Sequence, residues 1–275
     1  MPQFEVLMPI YINDSAEAVR AALLSIIEQS LRPERVIVVF DGPVAAEVQE
    51  VVEWFGSTAG VSTTVHRLAA NAGLGVALAE GLRLCRSDLV ARMDADDVSL
   101  PSRFANQMQY FSHDPALAVV GSDILEFDLT LTHPEGARAT PELHAEILRA
   151  MDTRNPFNHM SVMFRREAVI DVGNYIRCPF FEDYYLWLRL RRQGYSFANT
   201  GTIEVHVRGG RAMVLRRGGG GYARATLRFL MTAAREHLLP PGAVVKQALI
   251  RLPVAAAPPA VRHWLYSRLL RVPTC

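Results

Sequence analysis

Cysteine is scarce. Cys85, Cys178 and Cys275 are the only three in 275 residues, an odd number at wide spacings from which neither a disulfide framework nor a zinc-ligand pattern can be drawn. Lysine is scarcer still, with Lys246 alone among 29 basic residues, a bias that coding preference explains as well as any demand for bidentate pairing. Long apolar runs are absent: no stretch reaches about 18 uncharged apolar residues, and the alternating pattern at Phe4 follows neither a basic nor an apolar leader. A cytoplasmic chain that neither spans a membrane nor is secreted is expected. Core material, by contrast, is plentiful. Hydrophobic residues make up 50% of the chain, enough for one large α/β domain or two small ones and unlike a disordered or collagen-like protein.

The net charge of +1 hides an asymmetry. Residues 208–275 hold 12 Lys/Arg and a single acid, Glu236, a net of +11, which leaves residues 1–207 at −10. Two regions are therefore expected, 1–207 and a basic helical region 208–275.

Short β-branched runs alternate with helical stretches through the first half, the pattern of crossover units and a mostly parallel sheet. Strands are expected at Glu5 to Pro9, Arg35 to Phe40, Ser62 to Arg67 and Asp88 to Met93, with helices at about Ala16 to Gln29, Val44 to Phe55 and Leu74 to Cys85. The run Val36-Ile37-Val38-Val39-Phe40 has no polar alternation, as expected of an interior strand covered on both faces. Further strands are expected at Ala118 to Phe127, Met160 to Phe164 and Thr202 to Arg208, and helices at Arg166 to Val172 and Asp183 to Gln193. Beyond Arg208 come three helical stretches broken at Pro240-Pro241 and Pro258-Pro259. Gly218 to Gly221 reads as a flexible joint rather than a phosphate cradle, since no strand precedes it and no Lys-Ser/Thr follows.

Acids stand where expected strands end: Asp41 after Phe40, and Asp94-Ala95-Asp96-Asp97 after Met93. Ligands of open α/β sheets bind beyond the carboxyl ends of strands, and two carboxylates one residue apart on a turn can face one hard cation, Mg²⁺ or Mn²⁺. A solvated turn is the plainer account of the same residues.

Around these acids stand Met8-Pro9-Ile10-Tyr11, Phe40-Asp41-Gly42-Pro43, Asn71-Ala72-Gly73-Leu74-Gly75 and Ala91-Arg92-Met93-Asp94-Ala95-Asp96-Asp97, and in their order and spacing they resemble the motifs of a family 2 glycosyltransferase. The resemblance continues through Leu100 to Phe104, Asn155-Pro156-Phe157-Asn158-His159 and Phe181-Glu182-Asp183-Tyr184-Tyr185-Leu186-Trp187. The tail, with Arg216-Arg217-Gly218-Gly219, is similar to the branch that builds bacterial exopolysaccharides of the amylovoran type.

The resemblance implies a GT-A fold, a Rossmann-like mixed sheet flanked by helices, with a helical C-terminal appendage. It implies that Pro9, Tyr11 and Asp41 surround the nucleotide base, Asn71 and Gly73 lie near the nucleotide, Asp94 faces the ribose, and Asp96 holds Mg²⁺ or Mn²⁺ on the diphosphate of a sugar donor, a UDP-sugar. Asp183 would take the proton of the acceptor hydroxyl, inverting the anomeric centre, and Glu182 would orient the acceptor. Read without the family, Asp183 serves equally to stabilise a helix terminus. His159 would line the acceptor site and His206 complete the metal's coordination, although lone histidines are more often structural.

Some positions depart from the family pattern. Phe40 replaces an Asp, Ala79 an Asn and Tyr185 an Asp, and the Gln-x-x-Arg-Trp motif of processive members is absent, Gln247 and Arg251 being wrongly spaced and followed by Leu252. One transfer per encounter is expected. Arg262, Arg268 and Arg271 beside Trp264, Leu265, Leu269 and Leu270 suggest an interfacial helix on an anionic membrane, matching acceptors carried on polyprenyl diphosphate at the inner face of the plasma membrane. Packing of this basic face on the acidic region is the alternative, and nucleic acid is not expected because no reading module is present. Two rival functions stay open: a sugar-1-phosphate nucleotidyltransferase, whose glycine-rich basic loop Met8 to Ser15 lacks, and a degenerate sugar-nucleotide-binding scaffold.

Overall fold

A computed structural model describes residues 3–209, 218–258 and 261. Nine strands form one mixed sheet in the order β3-β2-β1-β4-β8-β6-β9-β5, with β7 paired to β6. Its first half is parallel: β1 (Phe4–Ile10), β2 (Arg35–Phe40), β3 (Ser62–Arg67) and β4 (Leu89–Arg92), joined through α1 (Ala16–Ile27), α2 (Ala46–Thr58) and α3 (Leu74–Leu84). The unalternating β2 run is interior, between β1 and β3. Alternate residues serve opposite faces: Leu7, Ile37, Val39 and Val90 join one core cluster, while Val6, Met8, Val36, Val38 and Ala91 join the other.

The second half reverses direction. β8 (Met163–Arg165) runs antiparallel to β4 and to β6 (Leu117–Phe127), and β9 (Ser196–Arg208) runs parallel to β6 and antiparallel to β5 (Val98–Ser99). The strand expected at Met160 to Phe164 is in part a 3-10 turn, His159–Ser161, because Ser161 Oγ bonds back to the Asn158 carbonyl at 2.9 Å, and only Met163–Arg165 enters the sheet. The β-signal at Thr202 belongs to a longer strand that begins at Ser196.

Other elements lie outside the set expected from the sequence. α4 (Arg103–His113) buries Arg103 and Gln107 completely. Arg103 reaches the Arg92 carbonyl at 2.6 Å and Ser99 Oγ at 2.8 Å, and Gln107 reaches the Ser161 and Val120 carbonyls at 2.7 and 3.0 Å. These bonds satisfy polar groups that would be costly if left bare. β7 (Pro134–Arg138) and α5 (His144–Met151) are short.

The remaining helices are α6 (Arg166–Asp171), α7 (Glu182–Arg192), α8 (Gly219–Arg235) and α9 (Pro241–Ala256). Gly219 to Gly221 form the first turn of α8, with Gly218 as its N-cap, so the joint expected at this run is the start of a helix. α8, α9 and the connection between them pack Phe229, Leu230, Ala233, Leu238 and Ala243 into the same cluster as α7. The interfacial stretch expected at Arg262 to Arg271 and the Arg216-Arg217 pair lie outside the described residues. Among the described residues no helix is long and apolar enough to cross a membrane.

Candidate active site

A cavity of about 750 Å³ opens at the carboxyl ends of β1, β2 and β4 and is closed on its far side by the start of α7. Pro9, Tyr11, Asp41, Asn71, Gly73, Asp94, Asp96, His159, Glu182 and Asp183 all line it. Residues separated by up to 174 positions thus converge because parallel strands end together and α7 is laid across the sheet.

On the strand side, Asp41 acts as a staple. Its two carboxylate oxygens accept the backbone N–H groups of Ala72 at 2.7 Å and Gly73 at 3.0 Å, fixing the loop that leads into α3. Gly42 makes this closeness possible, since a Cβ there would lie 2.6 Å from the Asn71 nitrogen and φ is +87°. Tyr11 donates its backbone N–H to Asp14 Oδ2 at 2.8 Å. Asp14 also lines the cavity, and burial first, then the charges of Asp96 and Asp94, push its pKa up to about 7.

The floor is a cluster of carboxylates. Asp94, Asp96 and Asp97 each place an oxygen within 4.8 Å of the others. Asp94 is ion-paired to Arg92, a buried guanidinium whose Nε and Nη1 have no hydrogen-bond partner. Asp97 is almost fully buried. Its Oδ1 accepts the Arg208 N–H at 3.1 Å and its Oδ2 is buried without a partner, and burial together with Asp96 and Asp94 drives its pKa well above the usual range. Hard oxygen donors crowded against one another, one of them an orphaned buried atom, fit a divalent cation. His206 does not join them: its ring packs on Phe127 with centroids 4.8 Å apart, and it lines no part of the cavity.

On the helix side, Glu182 and Asp183 occupy the first turn of α7, where the helix dipole favours carboxylates. Asp183 Oδ1 accepts the Tyr184 N–H at 2.7 Å and Oδ2 accepts from Asn155 Nδ2. Burial raises the pKa of Glu182 to about 7, the neighbouring Asp183 adding to the effect. Gly75 admits Glu182, for a Cβ at 75 would stand 2.8 Å from Glu182 Cγ. His159 is buried against the cavity wall, its Nε2 paired with Tyr175 Oη at 3.0 Å, and burial holds its pKa well below the ordinary value. It is a neutral, hydrogen-bonded histidine that still faces the cavity.

Asp14, Arg92 and Phe180 were not among the residues expected in the site, and Asp97, expected in the crevice with Asp94 and Asp96, had no role assigned to it. Asp97 follows Asp96 directly and Arg92 precedes Asp94 by two positions, and their burial was the missing information.

A family model described as Glycosyl transferase family 2 matches residues 5–173. The amylovoran biosynthesis glycosyltransferase AmsE of Erwinia amylovora is 33% identical over 268 residues, 96% of this chain and 98% of the relative. A UDP-Gal:alpha-D-GlcNAc-diphosphoundecaprenol beta-1,3-galactosyltransferase of Escherichia coli is 30% identical over 270 residues, 98% of this chain and 97% of the relative. Among solved structures, the mannosyltransferase PcManGT of Pyrobaculum calidifontis, in complex with GDP-Man and Mn²⁺, superposes with a TM-score of 0.67 at 18% identity, covering 99% of this chain and 77% of the other. TarS 1-349 of S. aureus with UDP-GlcNAc gives 0.68 at 14% identity, covering 98% and 76%. These two share the fold, a GT-A fold.

Proposed function

The chain belongs to glycosyl transferase family 2 and is a glycosyltransferase, and from that premise we propose that it moves one sugar from a UDP-sugar to a hydroxyl of a polyprenyl-diphosphate-linked glycan, with inversion, in the synthesis of a surface polysaccharide. The observation that carries this is the single cavity shared by the Asp94, Asp96, Asp97 cluster and the Glu182–Asp183 pair. A donor diphosphate meets the first group and an acceptor hydroxyl the second.

Pro9, Tyr11 and Asp41 receive the base, Asn71 and Gly73 lie beside the nucleotide, and Asp94 faces the ribose. Both Asp41 oxygens already accept backbone N–H groups, and each keeps a lone pair for a ring N–H. Asp96 and Asp97 would hold Mg²⁺ or Mn²⁺, which supplies charge neutralisation for the departing diphosphate. Asp183 removes the acceptor proton as the hydroxyl oxygen bonds to the anomeric carbon and the carbon–oxygen bond to phosphate breaks, the electron pair leaving with the nucleoside diphosphate. Asn155 and the Tyr184 N–H hold the Asp183 carboxylate for that task. Glu182 orients the acceptor, and His159 lines its site as a neutral group.

The acceptor class is supported by the diphosphoundecaprenol substrate in the E. coli relative's name. The membrane contact is supported by the exposed surface of α8 and α9, which contain no acid: Arg224, Leu227, Arg228 and Met231 on α8, and Val245, Lys246, Leu249 and Ile250 on α9. Residues 208–275 serve as that contact region beside the transferase region 1–207.

Calorimetric titration of nucleoside diphosphates and their sugars, with and without Mn²⁺, tests the donor site. Binding of UDP-sugars that needs the metal and is lost in Asp96→Ala is expected. No binding of any nucleotide at millimolar concentration would leave the acids as a turn and the protein as a scaffold without a donor.

A further inference from the structure

Phe180 sits one residue before the helix cap, in the turn Cys178-Pro179-Phe180-Phe181 closed by the Phe181 N–H on the Cys178 carbonyl at 2.8 Å. Its φ is +70°. In a turn with proline second, the third position with positive φ is ordinarily glycine or asparagine, and a bulky residue held there is strained. The strain serves a purpose that is visible in where the two phenyl rings go. Phe181 is buried at 3% exposure, while Phe180 is 51% exposed and lines the cavity beside Glu182 and Asp183. A glycine would close the same turn and leave no ring at the mouth.

The ring is also backed. Phe180 meets Tyr222 edge to face at 5.3 Å, Tyr222 stacks on Phe181 at 5.8 Å, and Phe181 lies 4.6 Å from Phe229 with 4° between their planes. An aromatic ring with a rigid rear and a wet front, next to carboxylates, has the two halves of a sugar subsite. The π face attracts the electropositive C–H side of a pyranose, and the carboxylates take its hydroxyls. Asp41, Asn71 and the aspartate cluster, which the donor requires, come from strand ends, whereas Phe180 belongs to the α7 side.

We propose that Phe180 is the stacking platform for the acceptor sugar, holding the pyranose ring over Asp183. This rests on the acceptor assigned above and names the group that binds it. The platform makes an apolar contact and moves no proton.

Phe180→Gly removes the ring and suits the turn, and Phe180→Trp keeps a face. Saturation-transfer NMR with N-acetylglucosamine linked through diphosphate to a short alkyl chain, in the presence of UDP and Mn²⁺, measures acceptor binding without turnover. A tenfold or greater rise in the probe's Kd is expected for Phe180→Gly and less than twofold for Phe180→Trp, with UDP affinity unchanged in both. Unchanged probe affinity in Phe180→Gly, or an equal loss of UDP affinity, overturns the proposal. Wild-type protein that binds UDP but not the probe overturns it while sparing the donor site. Wild-type protein that binds no UDP refutes the donor assignment, and the probe's dependence on Phe180 still decides the platform.

Discussion

The two faces of the sheet are built from different materials. Behind β1 and β2, under α1, α2 and α4, the core is aliphatic with phenylalanine, including Val19, Leu23, Ile26, Val48, Val52, Phe55 and Phe104. Under α7, α8 and α9 it is rich in aromatics that carry polar handles. Tyr184 Oη donates to the Met151 carbonyl, Tyr185 Oη reaches both Glu236 oxygens at 2.8 Å, and Tyr175 Oη pairs with His159. Aliphatic packing tolerates small slides, whereas a hydroxyl bonded to one carbonyl does not. Both faces carry directed bonds, those of α4 running from Arg103 and Gln107 to backbone carbonyls, but the face that must hold Asp183 still is the one whose aromatic core residues are themselves tied by their hydroxyls.

The division sharpens most at Asp183. Asp183→Asn should lower the transfer rate by about 10²–10⁴-fold, the usual contribution of a general base, and leave UDP affinity unchanged, as steady-state kinetics beside calorimetry will show. An equal loss of UDP affinity would erase the separation between helix side and strand side. Next come two matched cavities, Phe229→Ala and Phe55→Ala, each fully buried in the native protein and each expected to cost about 3–5 kcal/mol in urea unfolding. Only Phe229→Ala should also lower kcat per folded molecule; an equal fall in Phe55→Ala would break the comparison.

Glu182 gives a smaller, pH-dependent effect. Its folded pKa of about 7 lies above its ordinary 4.5, so the folded state holds the proton more tightly than the unfolded chain. Stability from this group is full below pH 4.5 and falls as pH rises toward 7, by about 3 kcal/mol or less. Glu182→Gln should therefore unfold at higher urea than the wild type at pH 8 and lose that advantage near pH 4. The smallest expected effect is on the aliphatic face, where Ser15 caps α1 by accepting the Ala18 N–H at 3.2 Å. Ser15→Ala should cost about 1 kcal/mol with kcat untouched.

The parallel half was legible because its strands are short runs between helical stretches, and the Asp41 and Asp94-x-Asp96 positions follow from the ends of β2 and β4. α4 was missed although Phe104, Met108 and Phe111 form an apolar stripe at i, i+4 and i+7, because Arg103 and Gln107 share that inner face, satisfied by carbonyls of β4, β6 and the 3-10 turn. Asp97 stood in plain view, but the N–H that its carboxylate accepts belongs to Arg208, 111 positions away. His206 was attached to the metal by the family resemblance and its place late in the last strand, and the sheet turned its ring onto Phe127. Phe180 had a readable signal in Pro179, which marks the turn, although not the direction in which the ring would point.

The brace on α7 has a consequence for how the enzyme comes into being. Every acid that lines the cavity lies within residues 1–207, while Glu236 on Tyr185, Gln247 on Tyr184 at 2.8 Å and Arg251 over Phe181 at 5.6 Å all come later in the chain. A ribosome making this chain releases the reactive groups first and their fastening last. At about 5–20 residues per second, the interval between the two is a few seconds in which the chemistry is present but unheld.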